Sequence, residues 1–296
     1  MHSNWFGRLT MIKFRPWFLL APAVILLAFI DLAPFFYGLW LGFHRWIMTV
    51  PTPPTYIAFY NYEFLVNDAE FLNAFVRGTL FAGASVIIQL VLGLATAFII
   101  CRRFRGATAF KVILTLPLAI APVAVGSMWR LMMYPGIGPI PYYLERLLGI
   151  KWNMAGSGDI ALLTTILMDT WHWLPLVALI LLAGIAGVPS AILESAALDG
   201  VNAWQKLRFI YLPLIRFEIL FVVLLRGMDA FRIFDEIWML TGGGPGSATR
   251  YLSVSLYTMI LKAWDLGYGM AVSLIFLYII IILCWALYQA VMRVSE

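Results

Sequence analysis

"ESAALDGVNAWQKLRFIYLP", residues 194–213, interrupts an otherwise apolar chain with Glu194, Asp199, Asn202, Gln205, Lys206 and Arg208 inside fifteen residues. Pro189 and Ser190 read as a helix start, with Ser190 as the N-cap. Residues 191–199 have high helix propensity. Gly200 then fits the left-handed position that closes a helix. Asn202 can cap a second helix running to about Ile210, and Pro213 opens the next apolar segment. Two short helices joined by a glycine make a compact, bent projection. Ser195, Ala196 and Ala197 leave one side of it open to close approach. By local physics alone, an amphipathic loop resting on the inner leaflet fits as well.

The surroundings decide the class. Hydrophobic residues make up 63% of the 296, charged residues 12%, and mean hydropathy is +0.91. Soluble domains run nearer half apolar and a quarter charged, so most of this surface needs lipid as its solvent. The net charge of +5 is no nucleic-acid footprint, because basic residues in membrane proteins gather at one face. Cys101 and Cys284 lie at or inside apolar segments without metal spacing, and His2, His44 and His172 are scattered, so no metal site is expected.

Six stretches can span about 30 Å of hydrocarbon: 17–43, 76–101, 110–134, 160–187, 214–239 and 267–291. The first follows "KFRPW", is too long for a signal-peptide core and has no small-residue cleavage site, so it is expected to remain. With the N-terminus inside, Arg8, Lys13, Arg15, Arg102, Arg103, Arg105, Lys111, Lys206, Arg208, Arg216 and Arg293 face the cytoplasm. The outside then holds only Arg45, Arg146, Lys151, Arg250 and Lys262, so both termini are expected inside. The expected fold is an all-α polytopic membrane helical bundle of about six transmembrane helices. It forms one domain, 1–296, with the loop 188–213 on the inner side between spans four and five. Trp17, Trp46 and Trp152 flank spans as interfacial anchors, and Pro117, Pro122 and Pro175 are expected to kink helices. The outer connections (44–75, 135–159 and 240–266) are Pro/Gly-rich and too short for a ligand-binding domain.

Glu194-Ser195-Ala196, Gly200 six residues after Glu194, then Ile210 and Leu212-Pro213, resembles the EAA loop of ABC-importer permeases. Asp199 before the glycine fits the carbohydrate-uptake branch, "LTGGGP" (240–245) is typical of its maltose-type subunit, and Ser195 replaces the usual first alanine. "LPLAIAPVAVGSMWRLMMYPGIG" (116–138), "LMDTWHWLPLVALILLAGIAGVP" (167–189) and "FRIFDEIWMLTGGGPGSAT" (231–249) are similar to other stretches of those permeases, with Arg250 a departure. The resemblance implies a multi-pass inner-membrane transporter subunit and not an enzyme. It implies ATPase coupling through Glu194, Ser195, Ala196, Ala197, Asp199, Gly200, Ile210 and Pro213. The implied partners are a second related permease, an ATPase dimer at the cytoplasmic face, an extracytoplasmic solute-binding protein and a carbohydrate-type substrate. No cofactor is expected in this chain: ATP and magnesium would sit on the ATPase, and no Walker A sequence occurs here.

The fifth apolar segment carries Arg226, Asp229, Arg232 and Asp235 at successive i,i+3 steps, with Glu236 beside them. Intramembrane charges are costly and usually face a bundle interior or a cavity. Self-neutralising pairs that stabilise the bundle or lie near the outer interface are one reading, favoured for Asp235 and Glu236. A solute path through Arg226 and Asp229 is the other. "TWHW" (170–173) offers Trp171, His172 and Trp173 at mid-depth, as packing aromatics or as faces for a sugar ring. The resemblance puts the family's cavity along these stretches, around His172, Trp173, Asp229 and Ile233. An ion-coupled secondary transporter or channel using the fifth-segment charges is the alternative, although no inverted repeat supports it. A membrane enzyme would need a nucleophile, metal or acid–base cluster, and none stands out.

Overall fold

The structure is a computed structural model that describes residues 16–101 and 105–295. Arg8, Lys13, Arg15, Arg102 and Arg103, which carry much of the charge asymmetry, lie outside the described residues, as do His2 and the side chains of Trp17 and Arg293.

Helices dominate, as the absence of strand alternation requires. The first apolar segment forms α1 (Pro16–Leu27) and α2 (Ala33–Gly42), joined through a π-helical stretch at Ala28–Leu32. A two-residue antiparallel pairing of β1 (His44–Arg45) with β2 (Thr55–Tyr56) and a short helix α3 (Tyr60–Asn67) then lead into α4 (Ala69–Cys101). Asn61 locks this turn by donating from its buried amide to the carbonyls of Gly42 (2.9 Å) and His44 (3.0 Å). α4 begins seven residues before the expected 76, since nothing helix-breaking stands between Ala69 and the apolar run.

The third segment is sharply bent. α5 (Ala107–Thr115) and a 3₁₀ turn at Leu116–Ala119 meet α6 (Pro122–Met133) at 100°. Pro117 falls in the 3₁₀ turn and Pro122 at the start of α6, where a missing N–H costs nothing. Beyond α6, α7 (Pro139–Leu148) lies in the connection, and α8 (Gly158–Ala186) runs unbroken through Pro175. The loop helices α9 (Ser190–Leu198), α10 (Ala203–Lys206) and α11 (Leu212–Leu214) precede α12 (Arg216–Arg232) and α13 (Asp235–Thr241). α14 (Leu252–Tyr257) and the long α15 (Leu266–Ser295) complete the bundle.

Four of these helices are long and apolar enough to cross a membrane, at Leu20–Gly42, Ala69–Cys101, Gly158–Ala186 and Leu266–Ala290, and the bent pair can supply a fifth. The expected 214–239 span does not appear as one apolar helix. It breaks between Arg232 and Asp235 because Ile233 is extended (φ −55°, ψ 127°) and Phe234 is also off-helix. The Ile233 carbonyl freed by the break accepts a hydrogen bond from Ser253 Oγ.

Packing follows membrane rules, where small residues let backbones approach. α4 runs along α8 and α12 and turns Ala74, Gly78, Ala82, Ser85, Gly93 and Ala97 inward, while Leu80, Ile87, Val91 and Ile99 stay exposed. A Cβ at Gly93 would sit 2.7 Å from Val177 Cγ1. α6 packs on α13 just as tightly, for a Cβ at Gly126 would come within 2.5 Å of the Glu236 carbonyl oxygen. α2 packs on α15, which also meets α12.

Candidate functional sites

The polar loop folds as a two-helix elbow. Gly200 has φ +70°, and the Gly200 and Val201 amides donate to Ala197 O (3.2 Å) and Ala196 O (3.1 Å), the paired bonds that close a helix on a left-handed residue. Asn202 accepts from the Gln205 amide at 2.9 Å, and Gln205 Oε1 accepts from the Asn202 amide at 2.9 Å, a complete capping box. Ser190 is not the N-cap: Pro189 holds that position, and Ser190 is the first helical residue without a capping bond. The extended Pro189 (φ −59°, ψ 132°) satisfies the start geometry by itself. The second helix is α-helical only over Ala203–Lys206 and turns π-helical at Leu207–Tyr211. Pro213 has no N–H to offer the Phe209 carbonyl, so the regular ladder cannot pass this point.

The coupling candidates therefore share one elbow but not one surface. Glu194, Ser195, Ala197, Asp199 and Gly200 are exposed, whereas Ala196 is buried in the elbow itself and Ile210 is half-buried. Pro213 is exposed at the entry to α12. Leu198 is 90% exposed, with Trp204 and Phe209 also largely bare. Three large apolar side chains on a polar projection form a surface that water does not favour.

A second site lies between α8, α12, α13 and the start of α6. A cavity of about 250 Å³ is lined by Pro122, Asp169, Trp173, Arg226, Asp229, Arg232, Ile233, Phe234, Asp235 and Glu236. Arg226 is 1% exposed and anchored from three sides. Its Nη2 donates to both oxygens of Asp169 (2.9 and 3.1 Å), and its Nε donates to Gln89 Oε1 at 3.0 Å. Gln89 Nε2 closes the network by donating to Asp169 Oδ2 at 2.7 Å. The guanidinium also lies over the Trp173 ring, 4.7 Å from its centroid. A buried arginine thus has a charge partner, a neutral acceptor and an aromatic face, as removal from water demands.

The i,i+3 pairs are secondary by comparison. Arg226 Nη1 lies 3.7 Å from Asp229, and Asp229 lies 3.6 Å from Arg232. Glu236 is buried on His172 Nδ1 at 3.0 Å, while Asp235 is exposed. Glu236 therefore pairs within the bundle, with a residue of another helix and not along its own segment. Trp173, Arg226, Asp229 and Ile233 line one cavity, while His172 does not line it and touches the lining residue Glu236. Trp171 does not line it either: it packs near Trp129 (ring centroids 6.0 Å) on the other side of α8. Residues two apart on a helix point about 200° from each other, so Trp171 and Trp173 cannot share a wall. The sequence reading missed Asp169 and Gln89 as site residues. Their only local signal was a polar side chain in the middle of a long apolar helix.

Comparison with known proteins agrees with this architecture. Over 257 residues the chain is 32% identical to the trehalose transport system permease protein SugA of Mycobacterium tuberculosis, covering 87% of this chain and 82% of that one. It is 31% identical over 252 residues to the trehalose/maltose transport system permease protein MalF of Thermococcus litoralis (85% and 84% covered). It is 27% identical over 272 residues to the sn-glycerol-3-phosphate transport system permease protein UgpA of Agrobacterium fabrum (92% of each). A chain of the bacterial alginate ABC transporter, solved with an alginate pentasaccharide-bound periplasmic protein, shares the fold at TM-score 0.81 and 19% identity. The match covers 95% of this chain and 96% of that one. Residues 89–294, from the buried Gln89 through the elbow to the end of α15, match the binding-protein-dependent transport system inner membrane component family, and the chain belongs to that family.

Proposed function

We propose that the chain is a permease subunit forming half of the translocation pathway of an ATP-driven importer for a carbohydrate-type solute. The solute is delivered by an extracytoplasmic binding protein, a second, related permease supplies the other half, and an ATPase dimer binding ATP and magnesium docks on the elbow. The termini and residues 188–213 face the cytoplasm in this scheme. The observation that carries it is the elbow itself, a rigid, doubly capped bend offering Leu198, Trp204, Phe209 and the acidic Glu194 to a partner. It lies between α8 and α12, the helices that meet at the Asp169–Arg226 bridge. A push on the elbow therefore reaches the cavity through two stiff helices. The names of the relatives, with trehalose, maltose and glycerol phosphate as cargo, support a polyhydroxylated solute.

The test is uptake of radiolabelled sugars and polyols by the native host, compared under ATP depletion and under a protonophore. Uptake lost on ATP depletion but resistant to the protonophore is expected. The reverse pattern would move the ion-coupled reading of the fifth-segment charges to the front. A mild-detergent pull-down of the tagged chain is expected to recover one ATPase and one sister permease, and recovery of the chain alone would sink the docking role.

A further inference from the structure

The ionisable residues lining the cavity are unequal: Asp169, Asp229, Asp235 and Glu236 are acidic, and only Arg226 and Arg232 are basic. Arg226 and Arg232 are matched by Asp169 and Asp229, which leaves the acidic excess on Asp235 and Glu236. Arg226 spends its Nε on Gln89, its Nη2 on Asp169 and its ring-facing side on Trp173, and its remaining nitrogen faces Asp229 at 3.7 Å. Arg232 is 61% exposed and faces Asp229 at 3.6 Å. Glu236 has only His172 against it, and Asp235 has no ion-pair partner among the described residues. Among the described residues an anionic solute entering here would meet no uncommitted buried arginine or lysine, and like charges brought together without water repel strongly. A neutral polyol would instead find Asp229 and Asp235 as hydroxyl acceptors, and charge-assisted hydrogen bonds of that kind are the stronger ones.

We propose that this chain's side of the pathway selects against anions, so that its cargo is an uncharged polyhydroxylated solute and not a sugar phosphate or uronate. The Arg226–Asp169–Gln89 network is a positioning element that removes the buried Arg226 guanidinium from solute recognition. The proposal rests on reading this cavity as the solute path, and it narrows the cargo class within that reading.

The field can be measured without any transport. In a background with Cys101 and Cys284 replaced by alanine, single cysteines at Pro122 and at Phe234 place thiols on two walls, and one at the exposed Tyr56 serves as reference. Each is labelled in native membranes with a cationic trimethylammonium and an anionic sulfonate methanethiosulfonate of similar size. The cation-to-anion rate ratio at the cavity positions is expected to exceed that at Tyr56 by roughly tenfold at low salt, and to fall with added salt. Asp235→Asn should lower the ratio at both walls. A ratio equal to or below the Tyr56 reference overturns the proposal, and so does failure of both reagents to reach either thiol. Because the readout is a labelling rate, it can fail while ATP-dependent uptake persists, which separates this inference from the importer reading.

Discussion

Arg226 and Asp169, 57 residues apart in sequence, meet in a two-oxygen bridge with both side chains fully buried. The bridge ties α12 to α8, and Gln89 extends it to α4. Removing one buried charge strands the other, at a cost of about 3–5 kcal/mol, while replacing both by apolar groups is often neutral. Arg226→Met alone is therefore expected to lower the temperature at which the detergent-solubilised protein loses monodispersity. Adding Asp169→Leu should recover most of the loss. A double variant as unstable as the single one would show that the bridge itself, and not the stranded charge, supports the bundle.

Gly200 stands at φ +70°, where a side chain is strained whatever the space around it. Gly200→Ala should destabilise the elbow by about 1 kcal/mol. Gly200→Pro cannot adopt the positive φ at all and should break the bend. Both are expected to insert normally, and Gly200→Pro should uncouple ATP hydrolysis from uptake in membrane vesicles, as should Glu194→Arg by reversing a charge on the proposed docking face. Full coupling in both variants at normal membrane levels would remove the elbow from the mechanism.

Gly126 holds α6 against α13, where an added Cβ would collide with the Glu236 carbonyl and with Met239 Cβ at 2.8 Å. Both obstacles are backbone or first side-chain carbons, which cannot swing away. Gly126→Ala should cost about 1–3 kcal/mol and reduce folded yield more than Gly83→Ala, whose site is open. Comparable yields for the two would contradict the close approach.

Trp173 lines the cavity and Trp171 does not. Trp173→Leu is expected to raise the KM for uptake several-fold by removing both the cavity wall and the aromatic face over Arg226, a contact worth on the order of 1 kcal/mol. Trp171→Leu should leave KM near normal. Equal effects of the two substitutions would count against this cavity as the path.

Much of this protein is written locally. An apolar excess forces helices in lipid, because the backbone can satisfy itself no other way there. The turn chemistry of Gly200 and the capping box of Asn202 and Gln205 lie within a few residues of their partners, so the elbow could be read directly from order and spacing. What the local rules could not supply is which distant group each buried charge would meet. The i,i+3 pattern favoured Arg226 with Asp229, yet a carboxylate on α8 won by offering two oxygens in a dry interface against one partly hydrated contact at 3.7 Å. The same holds for His172 with Glu236, for the 100° bend before α6 and for the break at Ile233 that divides the expected fifth span. Propensity allows a helix there to continue. Only the assembled bundle, with Ser253 in place to bond the freed carbonyl, decides that it stops.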